Sequence, residues 1–133
     1  MLGKKIQNSL KGLIWDVGGV IVSFDQKKAD LRLAEDAKKS VEEVTAILWG
    51  GTSQNREYNA GLTEPFYLGK MNSRQFYEKV ARELKLSMTY GQFVDAWCEI
   101  FSPNQEVIEC IASAQDAGIQ QCILSSTNPL HME

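Results

Sequence analysis

The chain has 133 residues, 44% of them hydrophobic, which suits one compact domain or one domain with a small appendage and is too short for two full-sized domains. Its net charge of −3 at pH 7 argues against a general nucleic-acid-binding surface, because such a surface neutralises phosphates with a surplus of Lys and Arg. No apolar run reaches the roughly 18 residues of a membrane span.

The polar segment MLGKKIQNSLKG opens the sequence and lacks the apolar core of a signal peptide, so we expect a short leader before the first strand. Two short runs rich in β-branched residues follow at 13–17 and 20–24, separated by Gly18 and Gly19. They predict a strand, a tight turn and a second extended segment. The charged stretch 26–39 is compatible with a helix.

Helices dominate the prediction from Ser40 to Gly118. The sequence SVEE from Ser40 is typical of a capping box, in which Ser caps a helix and Glu43 reaches back, and this helix should end at Gly50. After an irregular region at 52–71, helices are predicted over 73–86 and from the capping box TYGQ at Thr89. Ser102 and Pro103 are predicted to start one more helix. The strand 119–124 follows it.

Two apolar strands connected through a helix predict an α/β fold with a parallel sheet, whose ligands bind at the carboxyl ends of the strands. The roughly 80 residues between the first strand pair and the last helix far exceed an ordinary crossover. We therefore divide the chain into an α/β core, residues 1–25 and 102–133, and a helical insertion, residues 26–101.

Asp16 and Ser125 follow the two apolar strands of the predicted core. A carboxylate and a hydroxyl at neighbouring strand ends suit phosphoryl transfer, in which the carboxylate attacks phosphorus and the hydroxyl holds the transferred oxygens. Mg²⁺ suits such a site because it prefers oxygen ligands and phosphates. Gly18 and Gly19 would let the backbone approach a phosphate or metal. The alternatives are structural: Asp16 as a turn former or helix cap, and Ser125 as a cap or loop hydroxyl.

The two strand ends also carry a family resemblance. IWDVGGVI at 14–21 resembles the first motif of the haloacid dehalogenase-like (HAD) hydrolases, and ILSSTN at 123–128 resembles the second. The helical stretch lies where that superfamily carries an α-helical cap, and GKMNSRQF at 69–76, with the next two helices, is similar to sugar-phosphate phosphatase-like members. The resemblance implies a partial Rossmann-like parallel sheet core with an inserted α-helical cap.

The same resemblance implies an activity and a role for each matching residue. It implies a Mg²⁺-dependent phosphomonoester phosphatase that forms an aspartyl-phosphate from a small phosphorylated metabolite. Asp16 would be the nucleophile and, with the Gly18 carbonyl, a Mg²⁺ ligand. Ser125 would bind the phosphoryl group together with backbone N–H groups near Gly18, Gly19 and Ser126, and the cap would select the substrate.

Two features depart from the family pattern. Gly18 stands where the family usually has a second Asp as general acid and base, and glycine has no proton to give. The family's third motif, a Lys or Arg, and its fourth, acidic metal ligands, lie downstream of the second motif and are absent from the sequence after Ser125. We therefore expect a weakly bound Mg²⁺ and weak or no activity from this chain alone.

The incomplete motif set leaves alternatives for function and assembly. The chain is predicted to be a fragment of a longer protein or to pair with another copy, for example by exchanging segments. A catalytically silent binding or assembly protein that keeps the HAD fold is the alternative function. Carbon–halogen hydrolysis by the same nucleophile is a third and less favoured hypothesis.

Four further expectations concern cysteines, aromatic residues and the tail. The odd set Cys98, Cys110 and Cys122 has no metal-binding spacing and predicts buried free thiols in a reducing compartment, hence a cytoplasmic protein. Trp97 is expected in the core. His131 is expected in a solvated tail. Two roles remain possible for three aromatic residues: they could line a substrate pocket or pack in the core. These residues are Trp49, Phe66 and Tyr67.

Overall fold

The computed structural model describes residues 10–51 and 60–132, so most of the predicted leader and residues 52–59 of the predicted irregular region lie outside it. The strands are β1 Gly12–Trp15, β2 Val22–Phe24, β3 Phe101–Pro103 and β4 Gln120–Ile123. The helices are α1 Gln26–Ala37, α2 Val41–Trp49, α3 Glu64–Tyr67, α4 Ser73–Leu84, α5 Tyr90–Cys98 and α6 Gln105–Asp116. Short 3₁₀ helices occupy Gly61–Thr63 and Pro129–Met132.

The strands form two separate pairs. β1 runs parallel to β4, with Gly12 opposite Gln120 and Trp15 opposite Ile123. β2 runs antiparallel to β3. Because α6 lies between β3 and β4 in the chain and a parallel pair joins the two apolar strands, the predicted α/β fold with a parallel sheet is confirmed.

The described residues group into two compact units. One contains 10–24 and 101–126, that is, all four strands and α6; the other contains the helices of 25–100 and the segment 127–132. The sequence prediction had placed 127–132 with the strands. These residues lie with the helices because Leu130 is fully buried, and the Cys98 Sγ donates a hydrogen bond to the Leu130 carbonyl at 3.2 Å.

The helical unit has a core built on stacked and edge-on aromatic rings. Phe66 stacks on Phe76 with centroids 4.3 Å apart, and Phe76 meets Trp97 edge-on at 5.1 Å. Trp49 stacks on Trp97 at 6.1 Å, and all four side chains are buried. The structure thus assigns Trp49, Phe66 and Trp97 to the core, whereas Tyr67 is 39% exposed.

Capping boxes begin three of the helices in the described part of the chain. The two predicted ones are confirmed: Ser40 and Glu43 exchange hydrogen bonds at the start of α2, and Thr89 and Gln92 do so at the start of α5. A third, between Asn72 and Gln75 at the start of α4, was not predicted. Each box satisfies backbone N–H groups that the first helical turn leaves without an intrahelical partner.

The predicted helix start at Ser102 and Pro103 is wrong. These residues belong to β3, where Ser102 lies opposite Ser23 and Pro103 opposite Val22. Proline is tolerated there because the strand is short and Pro103 is its last residue. The cap of α6 is instead Asn104, whose side chain accepts from the Val107 N–H.

Two other expectations about exposure are also wrong. Cys110 and Cys122 are free but exposed thiols, and only Cys98 is partly buried. His131 is not a solvated residue: its N–H donates to the Asn128 carbonyl at 3.2 Å, and burial lowers the pKa of its imidazole below the ordinary 6.5. Within residues 10–51 and 60–132, no helix is both long and apolar enough to cross a membrane.

Candidate active site

The parallel pair of β1 and β4 brings two of the predicted site residues to one end of a sheet. Asp16 directly follows β1, and Ser125 lies two residues beyond β4. The pairing continues past the strands, since the Leu124 N–H donates to the Trp15 carbonyl at 2.9 Å. Parallel strands end at the same edge, so Asp16 and Ser125 occupy neighbouring chain ends.

A side-chain bridge fixes the alignment of these two strands. The Trp15 Nε1–H donates to the Gln121 Oε1 at 2.7 Å, and the Gln121 Nε2 donates to the Ile111 carbonyl of α6 at 3.1 Å. Gln121 therefore positions the strand that leads to Ser125. This role was not predicted from the sequence, although two adjacent amides in a short strand are a signal, since a half-buried amide has to find partners.

Asp16 presents its carboxylate to solvent. The side chain is exposed, and its Oδ1 accepts a hydrogen bond from the Val17 N–H at 2.7 Å. Within the described part of the chain, Oδ2 has no such partner. One carboxylate oxygen is thus oriented by the backbone while the other stays accessible, which is the arrangement that a carboxylate nucleophile needs.

A tight turn follows Asp16. The Val17 carbonyl accepts from the Val20 and Val22 N–H groups at 3.2 and 3.0 Å, and the Gly19 N–H donates to the Val22 carbonyl at 2.7 Å. Gly19 has φ +76°, a conformation that favours glycine. Since its N–H already donates within the turn, a phosphate bound by Gly19 would have to compete with Val22.

Ser125 and Ser126 lie in an irregular segment after β4, and both are exposed. Among the described residues, the Ser125 hydroxyl donates only to the neighbouring Ser126 carbonyl, at the long distance of 3.5 Å. Such a bond is weak, so the hydroxyl can turn to another acceptor at little cost. The structure thus brings Asp16, Ser125 and Ser126 to one edge, with Gly18 and Gly19 in the adjoining turn.

Basic side chains are sparse in the strand-containing unit. Lys11 is the one basic residue among the described residues of the strand-containing unit, and it precedes β1, at the end opposite Asp16. Within the described ranges, no group of three or more His, Cys, Asp and Glu side chains is placed to hold a metal ion.

No protein-family model and no curated protein sequence matches the chain. Among solved structures, it is similar to a HAD-family enzyme of Bacteroides thetaiotaomicron, crystallised with magnesium and inorganic phosphate. The TM-score is 0.64 at 17% identity, over 93% of this chain and 57% of that one. This chain has the HAD-like fold.

A predicted HAD-like family hydrolase of Porphyromonas gingivalis supports the same assignment, with a TM-score of 0.64 at 21% identity over 91% of this chain and 53% of that one. A second structure of the Bacteroides enzyme gives a TM-score of 0.67. The HAD-like chain described here spans a little over half the length of each of these neighbours. Because the sequence identities are only 17% and 21%, the similarity to these structures is a similarity of fold.

Proposed function

We propose that this polypeptide is a HAD-like hydrolase, and specifically the part of a phosphomonoester phosphatase that carries its nucleophile. The observation that supports this most directly is the alignment of Asp16 and Ser125 at the same end of a parallel strand pair, fixed by the register of β1 and β4. Magnesium and inorganic phosphate are bound in the Bacteroides neighbour of the same fold, which supports a small phosphorylated metabolite as the substrate.

The reaction would proceed in two displacements. The Asp16 Oδ2 attacks phosphorus, the bond from phosphorus to the leaving oxygen breaks, and that oxygen takes a proton from water, because Gly18 offers none. Water then attacks the aspartyl-phosphate, releasing inorganic phosphate and regenerating the carboxylate. The Ser125 hydroxyl, with the Gly18 and Ser126 N–H groups, would hold the equatorial oxygens as charge shifts between them.

The Asp16 carboxylate and the Gly18 carbonyl would supply some, but not all, of the ligands of a magnesium ion. Mg²⁺ is commonly bound by one or two carboxylates, with substrate phosphate and water completing its shell. The exposed Asp16 carboxylate and the Gly18 carbonyl would hold it here. Bound there, the ion would offset the repulsion between an anionic nucleophile and an anionic ester.

The first prediction concerns Asp16. Asp16→Asn should lower Mg²⁺-dependent hydrolysis of p-nitrophenyl phosphate at least about 100-fold, because the amide cannot form the acyl-phosphate. The matched control is Asp116→Asn, an exposed residue at the end of α6, which should keep the wild-type rate. Equal rates for wild type and Asp16→Asn would contradict the proposal.

A catalytically silent binding or assembly protein is the second candidate function. The observation that favours it is the exposure of large apolar side chains on the parallel strand pair: Ile14 is 70% and Leu124 72% exposed. This candidate predicts that wild-type protein binds inorganic phosphate, detected by ³¹P NMR line broadening, without turning over any aryl or alkyl phosphate. Turnover lost in Asp16→Asn would rule it out.

The cytoplasmic location is also retained as a proposal. Its support is now the exposure of two unpaired thiols, Cys110 and Cys122, because exposed free thiols persist in a reducing compartment.

A further inference from the structure

Phe24 is an aromatic side chain that stays open to solvent in the strand-containing unit. It ends β2 and is 48% exposed, whereas the stacked rings of the helical unit are buried. Its strand is fixed, because the Ser23 hydroxyl donates to the Ser102 carbonyl at 3.3 Å. A single exposed apolar side chain is common on protein surfaces, so the role of this ring depends on what lies beside it.

The ring of Phe24 lies beside the turn that follows Asp16. A Cβ on Gly18 would be 3.7 Å from Phe24 Cε1 and 3.9 Å from Phe24 Cδ1. Apart from the chain neighbours of Gly18, no other described residue comes within 4 Å of that point. The Gly19 N–H bond to the Val22 carbonyl, at 2.7 Å, ties the turn to β2. The space beside Gly18 is therefore open except where the Phe24 ring bounds it.

The proposed reaction brings a substrate to this space. In it, the phosphoryl group contacts the Asp16 carboxylate and the Gly18 N–H. The leaving group begins one oxygen away from phosphorus, so it reaches the open space beside Gly18. Phe24 is the side chain that it meets there.

The chemistry at Gly18 restricts the leaving group independently of Phe24. Glycine has no proton to give, so the leaving oxygen departs as an anion unless water protonates it. A phenol has a pKa of about 10, whereas aliphatic alcohols are about as weakly acidic as water, whose pKa is about 15.7. Loss of a phenolate therefore needs no general acid, and loss of an alkoxide does.

Both observations select the same class of substrate. We infer that the chain acts on a small aryl phosphate monoester and that Phe24 binds its aromatic ring, with ring centroids about 4.5 to 7 Å apart. The Asp16 Oδ2 forms the bond to phosphorus, the electron pair of the breaking bond goes to the phenolate oxygen, and water protonates the phenolate. This inference rests on the proposed function for the position of the phosphoryl group, and it uses only residues of the strand-containing unit.

Binding of two non-hydrolysable ligands tests the role of Phe24 without requiring turnover. Benzylphosphonate and ethylphosphonate both carry a CH₂ group in place of the ester oxygen, and they differ in the aromatic ring. Each is titrated into the full chain with Mg²⁺ and followed by ³¹P NMR. Wild type should bind benzylphosphonate at least about fivefold more tightly than ethylphosphonate, as one aromatic contact predicts. Inorganic phosphate should displace both ligands, which places them at one site.

Two substitutions at the same position separate the aromatic ring from its apolar bulk. Phe24→Leu keeps an apolar side chain without a ring and should reduce the preference for benzylphosphonate to less than about twofold. Phe24→Tyr retains the ring and should keep the preference. In turnover assays, Phe24→Leu should lower kcat/KM for phenyl phosphate at least about fivefold relative to kcat/KM for glycerol phosphate.

Equal affinity of wild type for the two phosphonates, or a preference that persists in Phe24→Leu, would overturn the inference. So would the absence of a nuclear Overhauser effect between benzylphosphonate and the Phe24 ring in wild type, a measurement that does not depend on the folding of any variant. Binding of inorganic phosphate without a preference for the aromatic ligand contradicts the ring contact alone. A chain that binds neither inorganic phosphate nor the phosphonates contradicts the proposed function as well.

Discussion

At the scale of single residues, Gly18 has a specific consequence for the proposed reaction, because a glycine next to the proposed nucleophile leaves water to protonate the leaving group. The position tolerates a side chain: a Cβ there would meet Phe24 Cε1 at 3.7 Å, an ordinary contact, and the backbone does not need glycine. Gly18→Asp would therefore place a carboxylic acid in the turn next to the nucleophile. General acids typically contribute about 10²-fold or more, and they matter most for poor leaving groups.

We accordingly expect Gly18→Asp to raise hydrolysis of an alkyl phosphate such as glycerol phosphate about 10²-fold, and hydrolysis of p-nitrophenyl phosphate much less. Gly18→Asn is the matched control, because asparagine has nearly the same size as aspartate and has no acidic proton to give. An equal gain on both substrates would contradict a general-acid role for the new carboxyl.

His131 is the second residue with a testable property, and it is the single histidine in the sequence. Burial lowers the pKa of its imidazole below 6.5, so the folded state prefers the neutral ring. The unfolded state takes up the proton more readily as the pH falls. The free energy of unfolding should therefore be greatest above pH 6.5 and should decrease as the pH falls through and below that value.

Urea denaturation at a series of pH values from about 8 to 5.5 measures this effect, since the window lies above the ordinary pKa values of Asp and Glu. His131→Asn should flatten the pH dependence, because asparagine does not titrate. A wild-type profile that is already flat would show that the ring is solvated in solution.

At the scale of elements, Asp30 joins α1 to α2. Its fully buried carboxylate accepts from the Thr45 hydroxyl at 2.8 Å and from the Trp49 Nε1–H at 3.3 Å. Asp30→Ala would leave both donors buried without this acceptor. We expect a loss of about 3 kcal/mol in the free energy of unfolding, measured by urea denaturation. Asp95→Ala, on the exposed side of α5, should change it by less than about 0.5 kcal/mol.

The elements also show which parts of the fold can be predicted from the sequence. The caps at Ser40 and Thr89 were predicted because each box closes within three residues, so its determinants are local. β3 was not predicted, because it forms by pairing Ser102 with Ser23, 79 residues away. Judged locally, Pro103 is typical of the start of a helix. Tertiary pairing overrode the local preference.

The same distinction holds for the candidate site. Asp16 and Ser125 could be placed at strand ends because each follows a locally apolar run. The bridge that aligns their strands could not be predicted, since Trp15 and Gln121 are 106 residues apart. The exposure of Cys110 and Cys122 was also missed, because an apolar pattern predicts which side chains favour burial and not whether a partner element is present to cover them.

At the scale of the whole molecule, the two units differ in how much of the core they hold. Of the buried hydrophobic side chains among the described residues, only Ala114 lies in the strand-containing unit; the others belong to the helical unit. Buried apolar area is the main stabilising contribution in folding. The strand-containing unit should therefore open at a lower free energy than the helical unit.

Native-state hydrogen exchange followed by mass spectrometry measures this difference. We expect peptides covering β1 and β4 to exchange at least about tenfold faster than peptides covering α4 and α5, because their opening exposes less buried apolar surface. Uniform protection in both units at low concentration would contradict the unequal distribution of stability, since it would require the strand pair to be held as firmly as the aromatic core.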